Sequence, residues 1–179
     1  YQCKTEDEVA KIVTDADVVM VQWAPVREKA IAAMTRCKGI VRYGIGLDNI
    51  DLASAKQKGI VVRNVPDYCL SEVADHTMAL VLSLQRQVTQ VDKLVRRGVW
   101  KITPPLALPP LRQSVLGLIG FGRIAQLVAK RAKAFDMKVF ASDPFISQTV
   151  FDEAGVMRLD IDELLRTSDI ISLQCPLTD

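Results

Sequence analysis

Gly120, Gly122 and Asp143 carry the clearest chemistry in the chain, through their types and their spacing. Gly120 lets the backbone turn tightly out of the apolar run Val115-Leu116-Gly117-Leu118-Ile119. Gly122 has no Cβ, so an anion can come close to the backbone. The helical pattern from Arg123 onward points free N–H groups and a dipole at that anion, and Arg123 can add a cation. Ala125 is small enough for the helix to pack on a strand. A second apolar run, Lys138 to Ser142, ends at Asp143, about 20 residues past the turn. A carboxylate there accepts hydrogen bonds from a ribose diol and repels a 2′-phosphate. Strand, glycine turn, helix, strand and acid in this order predict a dinucleotide-binding unit, with NAD favoured over NADP. Two alternatives remain on the same residues: a tight turn with no ligand, and another nucleotide-type ligand such as S-adenosylmethionine.

These residues need a sheet to position them. Before residue 70 the pattern alternates helix and strand. Thr5 with Glu8 forms a capping box for a helix reaching about Val13. Asp17 to Trp23 reads as a buried strand. Pro25 suits the start of a helix that continues from Val26 to Arg36. Gly39–Tyr43 and Ile60–Arg63 read as strands, with a helix from Asn49 to Lys58 between them that Gly59 closes. Such alternation predicts a parallel sheet with helices on both faces. One long helix is expected from about Ser71 to Arg97, capped by Ser71, because Val73, Thr77, Val81, Leu84, Val88, Val91 and Val95 keep helical spacing. Four prolines, Pro104, Pro105, Pro109 and Pro110, make residues 103–112 an extended connector. Beyond Pro144, short helices are expected over Ser147–Ala154 and Ile161–Arg166. A short strand near Val156 and another over Asp169–Gln174 complete the pattern. The domain reading is therefore 1–70, a helix over 71–102, the connector 103–112 and a dinucleotide-binding unit over 113–179.

Composition excludes several classes. A net charge of +2 over 179 residues gives no strong pull on nucleic acid or an anionic membrane. No apolar run reaches membrane-spanning length. Four scattered cysteines with a single histidine suit neither a zinc site nor a disulfide framework, and a reducing cytoplasm is the simplest setting.

Several motifs in order then resemble the D-isomer-specific 2-hydroxyacid dehydrogenases. They are Arg42-Tyr43-Gly44-Ile45-Gly46-Leu47-Asp48-Asn49-Ile50-Asp51, Asn64-Val65-Pro66, Val73-Ala74-Asp75-His76-Thr77, Arg96-x-Gly98-x-Trp100, the glycine turn, Ser142-Asp143-Pro144 and Cys175-Pro176-Leu177-Thr178. Val65-Pro66-Asp67-Tyr68-Cys69 is most similar to the phosphoglycerate dehydrogenase and C-terminal-binding-protein-like branch. The resemblance implies an α/β fold of two doubly wound parallel-sheet domains: part of a flavodoxin-like substrate domain and part of a Rossmann NAD-binding domain. It implies that backbone N–H groups of Tyr43, Gly44, Ile45 and Gly46 meet a substrate carboxylate, with Ile45 near the nicotinamide. Consecutive backbone donors suit an anion on chemical grounds as well. It places Arg123 and Ile124 at the pyrophosphate, Asp143 at the adenosine ribose, and Cys175 and Pro176 on the adenosine side.

The resemblance further implies NAD as cofactor, a small 2-hydroxy or 2-oxo acid as substrate, and a homodimer built on the long helix. Its arginine, acid and histidine for hydride chemistry are expected downstream of Asp179, so no catalytic residue is assigned and the chain reads as an internal fragment. His76 reads as structural. Four residues depart from the family pattern. Gln174 stands where histidine is usual, Asp136 stands where a helix-ending glycine is usual, and Gln113-Ser114 replaces Gly-Lys at an expected surface position. Two other readings follow: an NAD-sensing scaffold resembling the corepressors of the same branch, and a short relative without catalysis.

Overall fold

The computed structural model describes residues 1–100 and 108–176. Pro104, Pro105 and the Leu177-Thr178 end of the last motif lie outside the described residues. The chain divides into two compact units, Tyr1–Tyr68 and Cys69–Asp179.

The first unit runs α1 (Glu6–Ile12), β1 (Val18–Val21), α2 (Glu28–Ala33), β2 (Gly39–Arg42), α3 (Leu52–Gln57) and β3 (Val61–Asn64). The strands form a parallel sheet in the order β1-β2-β3. The capping box forms as expected: the Glu8 N–H donates to Thr5 Oγ1, and the Thr5 N–H donates to Glu8 Oε2. The helix expected from Asn49 starts at Leu52, and Asp51 caps it by accepting from the Ser54 N–H at 3.0 Å. The helix expected from Val26 begins later, at Glu28. Val26 is fully buried and bridges Ile50, with its N–H on Asn49 O and its carbonyl taking the Asp51 N–H, so it is held extended. β1 is not buried throughout: Val19 and Val21 face the helices, while Val18 and Met20 are 56% and 71% exposed. As an edge strand it alternates faces, and its solvent-side pleat is apolar.

The second unit runs α4 (Leu70–Gln85), α5 (Val88–Arg96), a 3-10 turn (Leu111–Gln113), β4 (Val115–Ile119), α6 (Arg123–Ala134), β5 (Lys138–Ser142), α7 (Gln148–Ala154), β6 (Met157–Arg158), α8 (Ile161–Thr167) and β7 (Ile170–Leu173). The sheet is parallel in the order β6-β5-β4-β7. The chain reverses direction across the sheet between β4 and β7, which creates a crevice at the carboxyl ends of those strands. Leu116, Leu118 and Ala141 pack under Ala125, Val128 and Ala132 of α6 and Met78 and Val81 of α4. On the opposite face a Cβ at Gly117 would run into Ser168 and Leu164, so glycine there lets α8 sit against β4.

The single helix expected over 71–97 is two helices. Gln87 takes φ 53°, and α5 starts after it. Periodicity carries across the break, but burial decides it. Gln85 is buried and donates through Nε2 to Pro109 O at 2.5 Å and Ser114 Oγ at 2.9 Å. Gln87 is buried as well, so the chain must turn to bring both amides inward. Cys69, in the left-handed region, precedes α4 in place of the expected Ser71 cap; the Ser71 hydroxyl accepts from Arg131 Nη2 instead. Ser114, expected at the surface, is fully buried because it answers Gln85.

Asp136 adopts φ 58°, a conformation that glycine takes without strain. Asp136→Gly is therefore expected to stabilise the second unit by roughly 0.5–1 kcal/mol, read as a rise in urea midpoint at unchanged slope. A fall in the midpoint would mean that the aspartate carboxylate contributes more than its backbone strain costs.

Candidate cofactor cleft

A cleft of about 990 Å³ opens at the carboxyl ends of the second sheet. It brings together Gly120 and Gly122 of the turn, Asp143 after β5, and Cys175 and Pro176 after β7. Gly120 has φ 89°, and a Cβ there would lie 2.8 Å from the Gln174 backbone. Its glycine is thus required by the protein's own packing. Gly122 differs: its φ of −71° suits any residue, and a Cβ would meet nothing within 4 Å. No neighbouring atom of the described structure needs glycine at Gly122. The open space in front of it is where a phosphate would sit.

The turn is held from both sides. Phe121 is fully buried and stacks on Phe151 with ring centroids 4.6 Å apart. Its N–H donates to Asp143 Oδ2 at 2.7 Å. Asp143 Oδ1 accepts from the N–H groups of Phe145 at 2.8 Å and Ile146 at 3.3 Å. Burial raises the pKa of this carboxyl, but the three backbone donors outweigh that effect, with the Arg158 charge adding to them, and hold it below its ordinary value. It remains an anion that lines the cleft, with three of its roughly four acceptor sites taken. The N-terminus of α6 opens on the same turn and has no side-chain cap.

Arg123 and Ile124 lie elsewhere around the turn. Arg123 is the first residue of α6 and lines a groove with Gln126, Lys130 and Val150. Ile124 is half-buried against the core. Gln174 lines the cleft, donates its N–H to Ile119 O at 2.7 Å and its Nε2 to Ser172 Oγ at 2.8 Å. Sequence reasoning missed Phe145, Arg158 and Ile161, which also line the cleft. The rule that ligands bind beyond the carboxyl ends of parallel strands points to Arg158 and Ile161, but β6 is only two residues long and leaves little pattern.

In the first unit, Tyr43 to Gly46 follow β2. The Gly44 N–H is spent on Arg42 O at 3.0 Å, and Asn64 Nδ2 fixes the loop by donating to Ile45 O at 2.7 Å. Among the described residues, the Ile45 and Gly46 N–H groups donate to no protein acceptor. Tyr43 is 44% exposed and lines a separate 490 Å³ cavity with Trp23 and Met20. Arg42 stacks over Trp23 at 5.2 Å and occupies the space that a Gly44 side chain would need. Among the described residues no group of three or more histidine, cysteine or acidic side chains could hold a metal. No described helix is long and apolar enough to cross a membrane.

A parallel sheet in this order, with a glycine turn beneath a helix N-terminus and an acid after the next strand, defines a Rossmann-type NAD-binding unit. The family model for the NAD-binding domain of D-isomer specific 2-hydroxyacid dehydrogenases matches residues 78–179, and the chain belongs to that family. It is 40% identical over 176 residues to the D-3-phosphoglycerate dehydrogenase of Methanocaldococcus jannaschii, covering 97% of this chain and 33% of that protein. It is 42% identical over 175 residues to the hydroxypyruvate reductase of Thermotoga maritima, covering 97% and 56%. The D-lactate dehydrogenase of Aquifex aeolicus, solved with NAD and lactic acid, superposes with a TM-score of 0.84 at 33% identity, covering 94% of this chain and 51% of that one. The chain thus spans between a third and somewhat over half of the relatives it matches.

Proposed function

We propose that this chain serves an NAD-dependent oxidation of a D-2-hydroxy acid to the 2-oxo acid, or the reverse, in the manner of a phosphoglycerate dehydrogenase. The observation that carries the reading is Gly122, whose missing side chain answers no packing need and leaves open the space a pyrophosphate requires. Bound in the cleft, NAD supplies the hydride acceptor. Gly120, Gly122 and the α6 N-terminus, with Arg123 and Ile124 at its start, hold the pyrophosphate. Asp143 receives the adenosine ribose, and Cys175 and Pro176 flank the adenosine. The unspent N–H groups of Ile45 and Gly46, in the loop from Tyr43 through Gly44, orient the substrate carboxylate. The domain reading is part of the proposal: a substrate-domain part over 1–70, a connecting and dimerising helical segment over 71–102, a proline-rich connector over 103–112, and the NAD-binding part over 113–179.

A calorimetric titration of the folded chain with NADH and NADPH tests the cofactor part. NADH is expected to bind more tightly, because the Asp143 carboxylate faces the position of the 2′-phosphate. Absence of binding by either, with circular dichroism showing a folded chain, would sink it.

A homodimer is part of the proposal. Leu80, Leu84, Val88 and Val95 of α4 and α5 are 46–62% exposed, more apolar side chain than a solvated helix pair needs. That surface also favours the second reading, a dimeric NAD-responsive scaffold. Sedimentation of wild type and Leu84→Glu with and without NADH separates monomer from dimer, and a monomer at every concentration would remove both. The cysteines are free thiols, which suits a reducing cytoplasm.

A further inference from the structure

Arg158 has no place in the function as proposed, yet it lines the same cleft as Asp143. It is the last residue of β6 and pairs in register with Ala141, two residues before Asp143. Its guanidinium carbon lies 5.5 Å from the centroid of the Phe151 ring. Phe151 is itself fully buried and stacked on Phe121, so the surface under the guanidinium is rigid. Among the described residues no carboxylate ion-pairs with Arg158, and no acceptor takes its N–H donors. An exposed arginine seated over an aromatic ring, with no ion-pair partner among the described residues, is prepared for an oxyanion. The nearest part of a dinucleotide bound as proposed is the adenosine ribose, where a 2′-phosphate would be.

We propose that Arg158 is a second determinant of cofactor class, acting against Asp143. Asp143 disfavours a 2′-phosphate and Arg158 attracts one, so the preference for NAD is a difference between two opposed charges and not an exclusion. The inference rests on the cofactor reading above.

The test uses the adenosine-side probes ADP-ribose and 2′-phospho-ADP-ribose, titrated into the full chain and four variants. Wild type should prefer ADP-ribose. Arg158→Ala should weaken the 2′-phosphorylated probe about ten- to a hundredfold and ADP-ribose little, since a charged hydrogen bond carries about that factor. Asp143→Asn should shift preference toward the 2′-phosphorylated probe, and adding Arg158→Ala should cancel the shift. Arg158→Lys should recover part of it, and raised salt should erode it. Equal loss of both probes in Arg158→Ala, or no loss, would overturn the proposal while leaving the cofactor site intact. Failure of wild type to bind either probe would instead remove the cofactor reading and the proposal with it.

Discussion

Gly122→Val is expected to abolish NADH binding, by at least about a hundredfold, while the chain stays folded; Gly120→Val is expected to unfold the second unit. The two glycines stand two residues apart in one turn. Their surroundings separate them. At Gly120 a β-branched residue would have to adopt φ 89°, costing about 1–3 kcal/mol, and its Cβ would press on the Gln174 backbone at 2.8 Å. Backbone cannot swing aside as a side chain can, so overpacking adds a further ~1–3 kcal/mol. The sum is a large share of a small domain's stability. At Gly122 the backbone is already extended, with φ −71° and ψ −172°, and a Cβ meets open space. The cost to the fold is the N-cap preference alone, below about 1 kcal/mol. What valine fills is the approach to the helix N-terminus. Urea unfolding and NADH titration of both variants read the two effects separately. A Gly122→Val chain that binds NADH normally would remove the pyrophosphate from this turn.

The turn was legible in sequence because its requirements are local. A tight exit from a strand, a bare backbone and a helix start all fall within a few residues, and Asp143 follows at the spacing that one helix and one strand impose. The capping box at Thr5 and Glu8 was legible for the same reason. Readings failed where a distant residue decided the outcome. Apolar spacing runs from Val81 through Val95 without interruption, but Gln85 is drawn in by Pro109 and Ser114, 24 and 29 residues away. The same contact buries Ser114, whose neighbours in sequence mark it as a polar strand entrance. Val26 looked like the continuation of a helix after Pro25; its bridge to Ile50 holds it extended. Arg158 was invisible because its significance lies in its neighbours across the sheet. A two-residue strand brings it level with Ala141, and only then does it share a cleft with Asp143.

Asp143 is expected to govern stability as well as cofactor choice, and the two roles part under acid. Its carboxylate takes the N–H groups of Phe121, Phe145 and Ile146, which joins the glycine turn to the loop after β5. Asp143→Ala leaves the part-buried Phe121 N–H unanswered and should cost about 2 kcal/mol, toward the low end for charged hydrogen bonds because the carboxylate is partly solvated. Asp143→Asn keeps one acceptor oxygen and should lose less. The folded-state pKa lies below the ordinary 3.8, so the unfolded chain takes up this proton first as pH falls. The stabilisation is therefore complete above the unfolded value, near pH 4, and is lost as pH drops through the folded value. Wild type and Asp143→Asn should thus differ by a constant amount in unfolding free energy from about pH 5 to 8 and draw together only as the pH falls below the ordinary carboxylate value and through the lowered folded one. A gap that closes at neutral pH would mean that the carboxylate is not the acceptor holding the turn. Over the same neutral range the charge on Asp143 does not change. Any variation there in the preference for NADH over NADPH must then come from the 2′-phosphate itself, which titrates near pH 6. A preference that rises through pH 6 as that phosphate gains its second charge would identify repulsion by a fixed carboxylate as its source.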